Sequence, residues 1–229
     1  MYLIPEKSAS GTLITVQMGG LTNPRSFKPT DLFVVTTLDT DGVSEIDDGF
    51  NKPATMSIIG EITTVDIMPS NFINGEINTY TFTISSPIPI EMGDRLKFKF
   101  PKELTPPSDK EEMACFARTN VLSIDCQIAG RDVTITFELV VKQSGGGTYA
   151  FTMENIGNPF STKTSEGFQG ITIETAEPYY AVAEYPTAST GITNKLPAPL
   201  VTYEANQQDL DPEAITELSI SFTPVNALP

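Results

Sequence analysis

Gly146 to Thr172, GGTYAFTMENIGNPFSTKTSEGFQGIT, restates Gly11 to Thr37, GTLITVQMGGLTNPRSFKPTDLFVVTT, without a gap at an offset of 135 residues. Of the 27 aligned positions eight are identical: Gly11/Gly146, Met18/Met153, Asn23/Asn158, Pro24/Pro159, Ser26/Ser161, Lys28/Lys163, Phe33/Phe168 and Thr37/Thr172. The apolar alternation keeps its phase as well, with Ile14, Val16 and Met18 opposite Tyr149, Phe151 and Met153. A repeat of this length is a domain rather than a solenoid turn, so the chain must fold as more than one similar unit.

Short alternating runs decide what kind of unit. Thr79 to Ile84 (TYTFTI) and Leu96 to Phe100 (LKFKF) place apolar residues at every second position, which is the period of a half-buried strand. Lys97 and Lys99 take the alternate positions, where they read as edge lysines that discourage aggregation. Strands are also expected at Tyr2 to Ile4, Leu13 to Met18, Leu32 to Leu38, Val43 to Ile46, Ala54 to Ile59, Thr63 to Ile67, across Cys115 to Val140, and at Ile215 to Phe222. Lys102 to Glu112 reads as an exposed loop or a short helix. Eighteen Pro and sixteen Gly punctuate the runs. Turn signals at this spacing predict an all-β chain of tandem immunoglobulin-like β-sandwich repeats. The period divides it into residues 1–60, the C-terminal part of a first repeat, 61–195, a complete repeat, and 196–229, the N-terminal part of the next.

Fourteen basic against 29 acidic side chains leave a net charge of -15, which repels phosphate backbones and anionic lipid heads. Nucleic acid is therefore excluded as a partner, and no apolar run is long enough to insert in a membrane. With no His in the chain an ordinary Ser or Cys triad cannot be assembled. Nothing singles out one carboxylate pair for acid–base work, so the chain reads as a non-enzyme with no catalytic residue.

Cys115 and Cys126 would face each other across a hairpin centred at Asn120-Val121. The readings are a disulfide, which implies an oxidising compartment and an extracellular location, or two buried thiols. Asp39, Asp41, Glu45 and Asp47 gather carboxylates around an Asp-Gly turn, the oxygen-rich chemistry that Ca2+ takes. The competing reading is a solvated acidic hairpin, since the second copy at the same offset offers Glu174, Ala176 and Tyr180 for Asp39, Asp41 and Glu45. No other cofactor is implied. The loop motif Asn23, Pro24, Ser26 and Lys28 recurs as Asn158, Pro159, Ser161 and Lys163. Its plain reading is turn chemistry, and contact between units is the alternative.

The order TYTFTISSPIPIEMGDRLKFKFP, a close Cys pair, VTITF, a Gly-rich turn and then Asn-Pro-x-Ser-x-Lys resembles the tandem Ig-like repeats of very large secreted or cell-surface proteins of ciliates and related protists. The resemblance implies an extracellular structural scaffold or filament whose partners are neighbouring repeats of the same or an identical chain. An adhesin is the alternative, with sandwich-end loops and tyrosines such as Tyr179, Tyr180 and Tyr185 meeting a glycan or a surface protein.

Overall fold

A computed structural model describes residues 11–224 apart from 12, 22, 51, 52, 54–57, 109–112, 144, 197, 199 and 208–217. Among the described residues every regular element is a strand. The strands expected at Tyr2 to Ile4 and over most of Ala54 to Ile59 lie outside them. β1 (Val34–Leu38) and β2 (Glu45–Phe50) form a sheet of their own. Then follow β3 (Gly60–Glu61), β4 (Thr64–Pro69), β5 (Ile77–Ser86), β6 (Arg95–Lys99), β7 (Cys115–Ala117), β8 (Val121–Ala129), β9 (Asp132–Val140), β10 (Gly147–Gly157), β11 (Gln169–Glu174) and β12 (Ala181–Glu184). They build two sheets, ordered β4-β5-β10-β7 and β3-β12-β11-β6-β9-β8. β13 (Thr202–Gln207) and β14 (Leu218–Thr223) make a second separate pair.

The alternation seen in the sequence becomes the shared core of the two larger sheets. β5 turns Tyr80, Phe82 and Ile84 inward, β6 Leu96 and Phe98, and β9 Val133, Ile135 and Phe137. Phe82 stacks on Phe151 of its own sheet at 5.0 Å between centroids, and meets Phe98 of the facing sheet at 5.2 Å and Phe168, just before β11, at 5.5 Å. Offset and edge-on contacts of this kind suit the ring quadrupole, and they fix which faces meet.

Several expectations change. Lys97 and Lys99 are on β6, inside the six-stranded order between β11 and β9, so they are not edge lysines. They stand on the outer face of an interior strand. Lys102 to Glu112 forms no helix over its described residues, 102–108, because Leu104 and Pro107 are buried and Thr105 bridges Gly157. Leu13 to Met18 is not a strand either. Its counterpart β10 is held between β5 and β7, and a strand without a ladder partner leaves its backbone groups to water.

Registers carry further than letters. Shifting the β1–β2 pairs Thr37↔Asp47 and Leu38↔Glu45 by 136 residues lands on Ile173↔Ala183 and Glu174↔Ala181 of β11–β12, one-residue register shift included. The turns agree too: Asp39 N–H donates to Ser44 O at 2.7 Å, and Thr175 N–H donates to Tyr180 O at 2.9 Å. Likewise, shifting the β4–β5 pairs Thr64↔Ser85 and Ile67↔Phe82 by 138 lands on Thr202↔Thr223 and Ala205↔Ile220 of β13–β14. Asp39, Asp41 and Glu45 thus stand opposite Thr175, Glu177 and Ala181, one place on from the gap-free alignment.

Candidate functional site

The recurring Asn-Pro-x-Ser-x-Lys loop holds the same local bond in both copies. Ser26 Oγ accepts from Lys28 N–H at 3.3 Å, and Ser161 Oγ accepts from Lys163 N–H at 3.3 Å. Lys28 and Lys163 are both exposed. What surrounds the two loops differs. Asn158 is fully buried and anchors the end of the sandwich: its Oδ1 accepts from Tyr80 Oη at 2.6 Å and Asn78 Nδ2 at 3.3 Å. Its Nδ2 donates to Ile73 O at 2.9 Å and Asn71 O at 3.2 Å. Pro159 O accepts from Gly75 N–H at 3.0 Å and from Asn194 Nδ2 at 2.7 Å. Burial pushes the Tyr80 phenol up, so it stays protonated and keeps donating. Asn23, by contrast, is exposed, and Pro24 is half-buried.

The first loop instead docks onto the sandwich. Arg25 reaches the β5–β6 turn, where its guanidinium pairs with Asp94 and with Glu91 at 3.0 Å. Asp94 Oδ2 also accepts from Glu91 N–H at 2.8 Å, and Phe137 N–H donates to Asp94 O at 2.9 Å. Beside this pair Phe27 N–H donates to Ala181 O at 3.2 Å, and Ser26 is buried. A planar guanidinium presenting several donors is the group suited to a carboxylate that is only 2% exposed. Arg25 and Asp94 were not legible as functional in the sequence. The available signal was that Arg25 faces Phe160 across the repeat, the one place in the loop where chemistry changes from cation to ring.

Burial is the main influence on Asp94 and raises its pKa, against the backbone donor of Glu91 and the charge of Arg25, which lower it. A raised folded value means that this group's contribution to stability is complete below the ordinary Asp range. It is lost as pH rises through the folded value. Arg25→Ala removes the compensating charge, so it is expected to cost about 2 kcal/mol at neutral pH. That difference should shrink as pH falls and Asp94 takes up its proton. Urea midpoints of both chains at neutral and acid pH measure it, and a difference independent of pH would contradict the pairing.

The acidic hairpin uses its carboxylates on itself. Asp41 Oδ1 accepts from Val43 N–H and Ser44 N–H, each at 2.8 Å, and Oδ2 from Ser44 Oγ at 2.5 Å. The Ser44 hydroxyl, foremost among these donors, holds the Asp41 carboxyl below its usual range. Asp39 Oδ1 accepts from Thr40 N–H at 2.6 Å, and Asp47 Oδ2 from Thr37 Oγ1 at 3.2 Å. Glu45 sits on β2 across from Leu38. Among the described residues no three His, Cys, Asp or Glu side chains converge as a metal would require.

Cys115 and Cys126 are bonded, but not across a hairpin. Cys115 lies on β7, the edge of the four-stranded sheet, and Cys126 on β8, the edge of the six-stranded one, with their Cα atoms 6.4 Å apart. Asn120, at φ 57°, turns the chain from one sheet to the other. The bridge therefore ties the two sheets along one side. Its reduction is expected to cost about 3 kcal/mol of unfolding free energy, the loop-closure value for so short a span. Parallel urea titrations with and without a reductant read the change, and coincident curves would contradict it.

The outer face of the six-stranded sheet carries a shallow groove lined by Lys97, Lys99, Asp132, Gln169 and Gly170. Both lysines are already paired, Lys97 with Glu174 at 3.3 Å and Lys99 with Asp132 at 3.8 Å. Of the tyrosines, Tyr179 is exposed with the Arg95 guanidinium 4.3 Å from its ring centroid, and Tyr180 is half-buried. Tyr185 packs against the core.

No protein-family model and no curated protein matches the chain. Among solved structures it is similar to BslA, a bacterial hydrophobin, at 16% identity over 59% of this chain and 99% of that one, with a TM-score of 0.31.

Proposed function

We propose that the chain is a non-enzymatic, architectural segment of a long extracellular scaffold, built of consecutive Ig-like β-sandwich units 135 to 138 residues apart. The observation that carries the reading is the coincidence of strand registers between β1–β2 and β11–β12 and between β13–β14 and β4–β5. On this reading residues 61–195 are one complete unit. Residues 1–60 then bring the trailing hairpin of the unit before, and 196–229 the leading hairpin of the unit after. Arg25 on Asp94 is the joint that fixes one unit against the next. The disulfide supports an oxidising, extracellular setting.

The adhesin alternative has less behind it, because the groove's lysines are ion-paired and the faces of Tyr179 and Tyr185 are partly engaged. An antibody raised to the folded chain is expected to label unpermeabilised cells that produce it as continuous surface material. Labelling that appears only after permeabilisation would overturn the scaffold reading.

A further inference from the structure

Strand registers lay out the outer face of the four-stranded sheet in rows. One row runs Asp66, Thr83, Ala150 and Arg118, since Asp66 pairs with Thr83, Thr83 with Ala150, and Arg118 N–H donates to Ala150 O at 3.0 Å. The next runs Met68, Thr81, Thr152 and Phe116. In both rows the long side chains stand at the margins and the short ones between. All four marginal residues are exposed, Met68 and Phe116 at 49% and 45%. β4, β5, β7 and β10 together contain two ionised side chains, Asp66 and Glu154, in a chain with 29 acidic and 14 basic ones. Scarcity of charge beside an exposed aromatic ring and a Met is what sets the middle of a protein contact apart from ordinary surface.

The two margins are opposite in charge. Asp66 on β4 and Arg118 just past β7 are separated by three strand spacings, about 14 Å, so they cannot pair within one molecule. Among the described residues neither has an ion-pair partner. The outer face of the six-stranded sheet differs, because Lys97 and Lys99 find Glu174 and Asp132 on adjacent strands. Arg25 and Phe27, from the stretch before β1, touch the sandwich elsewhere, at the β5–β6 turn and at β12.

We infer that two copies of this chain stack through this face about a two-fold axis that runs along the strands, between β5 and β10. That operator lays β4 on β7 of the second copy and β5 on its β10 while keeping the rows. Asp66 then meets Arg118 of the second copy and Met68 meets its Phe116, each contact occurring twice. An axis across the strands would oppose the rows instead and set Asp66 against Met68. Stacked sheets lie about 10 Å apart, a gap that the long marginal side chains span and the short ones between them do not obstruct. Four strands about 4.8 Å apart and three rows about 6.8 Å apart cover roughly 400 Å² of each copy, well short of the about 800 Å² per partner of a stable complex. The pairing is therefore weak and depends on concentration. Every residue involved lies between Thr64 and Gly157, so the contact does not require the chain to be a repeat.

Exchanging the charges tests the axis. Sedimentation of the parent chain is expected to show a mass that rises with concentration towards that of a dimer. Asp66→Arg and Arg118→Asp each bring like charges together at both contacts, and each is expected to weaken association at least about tenfold. The chain carrying both substitutions, and an equimolar mixture of the two single variants, restore opposite charges at both contacts and should associate as the parent does. Both positions are exposed, so the circular dichroism of every variant should match the parent's. A parent mass that stays constant with concentration overturns the inference. Single variants that associate like the parent would do the same, and so would a double exchange that fails to recover.

Discussion

Asn158→Ala is expected to destabilise the sandwich by about 4 kcal/mol, while Asn23→Ala, the same letter in the same motif, stays within about 0.5 kcal/mol. Asn158 is fully buried, and its amide closes a circuit in which Tyr80, Asn78, Asn71 and Ile73 each present a polar atom to it. Truncation takes away the acceptor of the buried Tyr80 hydroxyl, so the loss includes its desolvation and not only the bonds themselves. Tyr80→Phe removes one donor and keeps the ring, which puts its cost at about 1 kcal/mol. Urea denaturation of the three variants ranks them, and equal effects at Asn158 and Asn23 would show that the motif acts locally rather than through the network.

Phe82→Ala should be comparably severe, at about 4 kcal/mol, because the ring touches Phe151, Phe98 and Phe168 and little around it can collapse into the space left. Its counterpart Ile220 is 63% exposed, and Ile220→Ala in dilute solution should change stability by less than about 0.5 kcal/mol. Thermal melts of the two variants separate these outcomes. A large effect at Ile220 in dilute solution would mean that the hairpin packs against the sandwich.

Much of the fold was legible because strand alternation is written at single-residue resolution. Tyr80, Phe82 and Ile84, and Leu96, Phe98 and Phe100, declare their inward faces without outside help. What failed to show was anything decided by a neighbour distant in sequence. Leu13 to Met18 has the pattern of a strand, yet a pattern cannot report whether a ladder lies alongside. Cys115 and Cys126 sit at hairpin spacing, and only the left-handed Asn120 sends their strands to different sheets. The Arg25–Asp94 pair is the extreme case: the two residues are 69 positions apart, and nothing near either announces the other. The gap-free offset was right in the loop and wrong in the hairpins, since insertions fall in connections while registers persist.

The strand that opens the sandwich and the strand near its close run in the same direction. β3 pairs with β12 in parallel, through Gly60 and Ala183, and the stretch around Leu196 lies parallel to Ile73. If the chain is tensed from its two ends, the pull at Gly60 and the pull beyond Leu196 run lengthwise along these pairs. Their hydrogen bonds, Ile62 N–H to Glu184 O at 2.8 Å, Asn74 N–H to Leu196 O at 3.1 Å and Leu196 N–H to Phe72 O at 3.2 Å, lie across the pull and share it together instead of unzipping in turn. A unit wired in this way meets stretching in shear, and its lifetime under tension is set by the rate at which those few bonds let go at once.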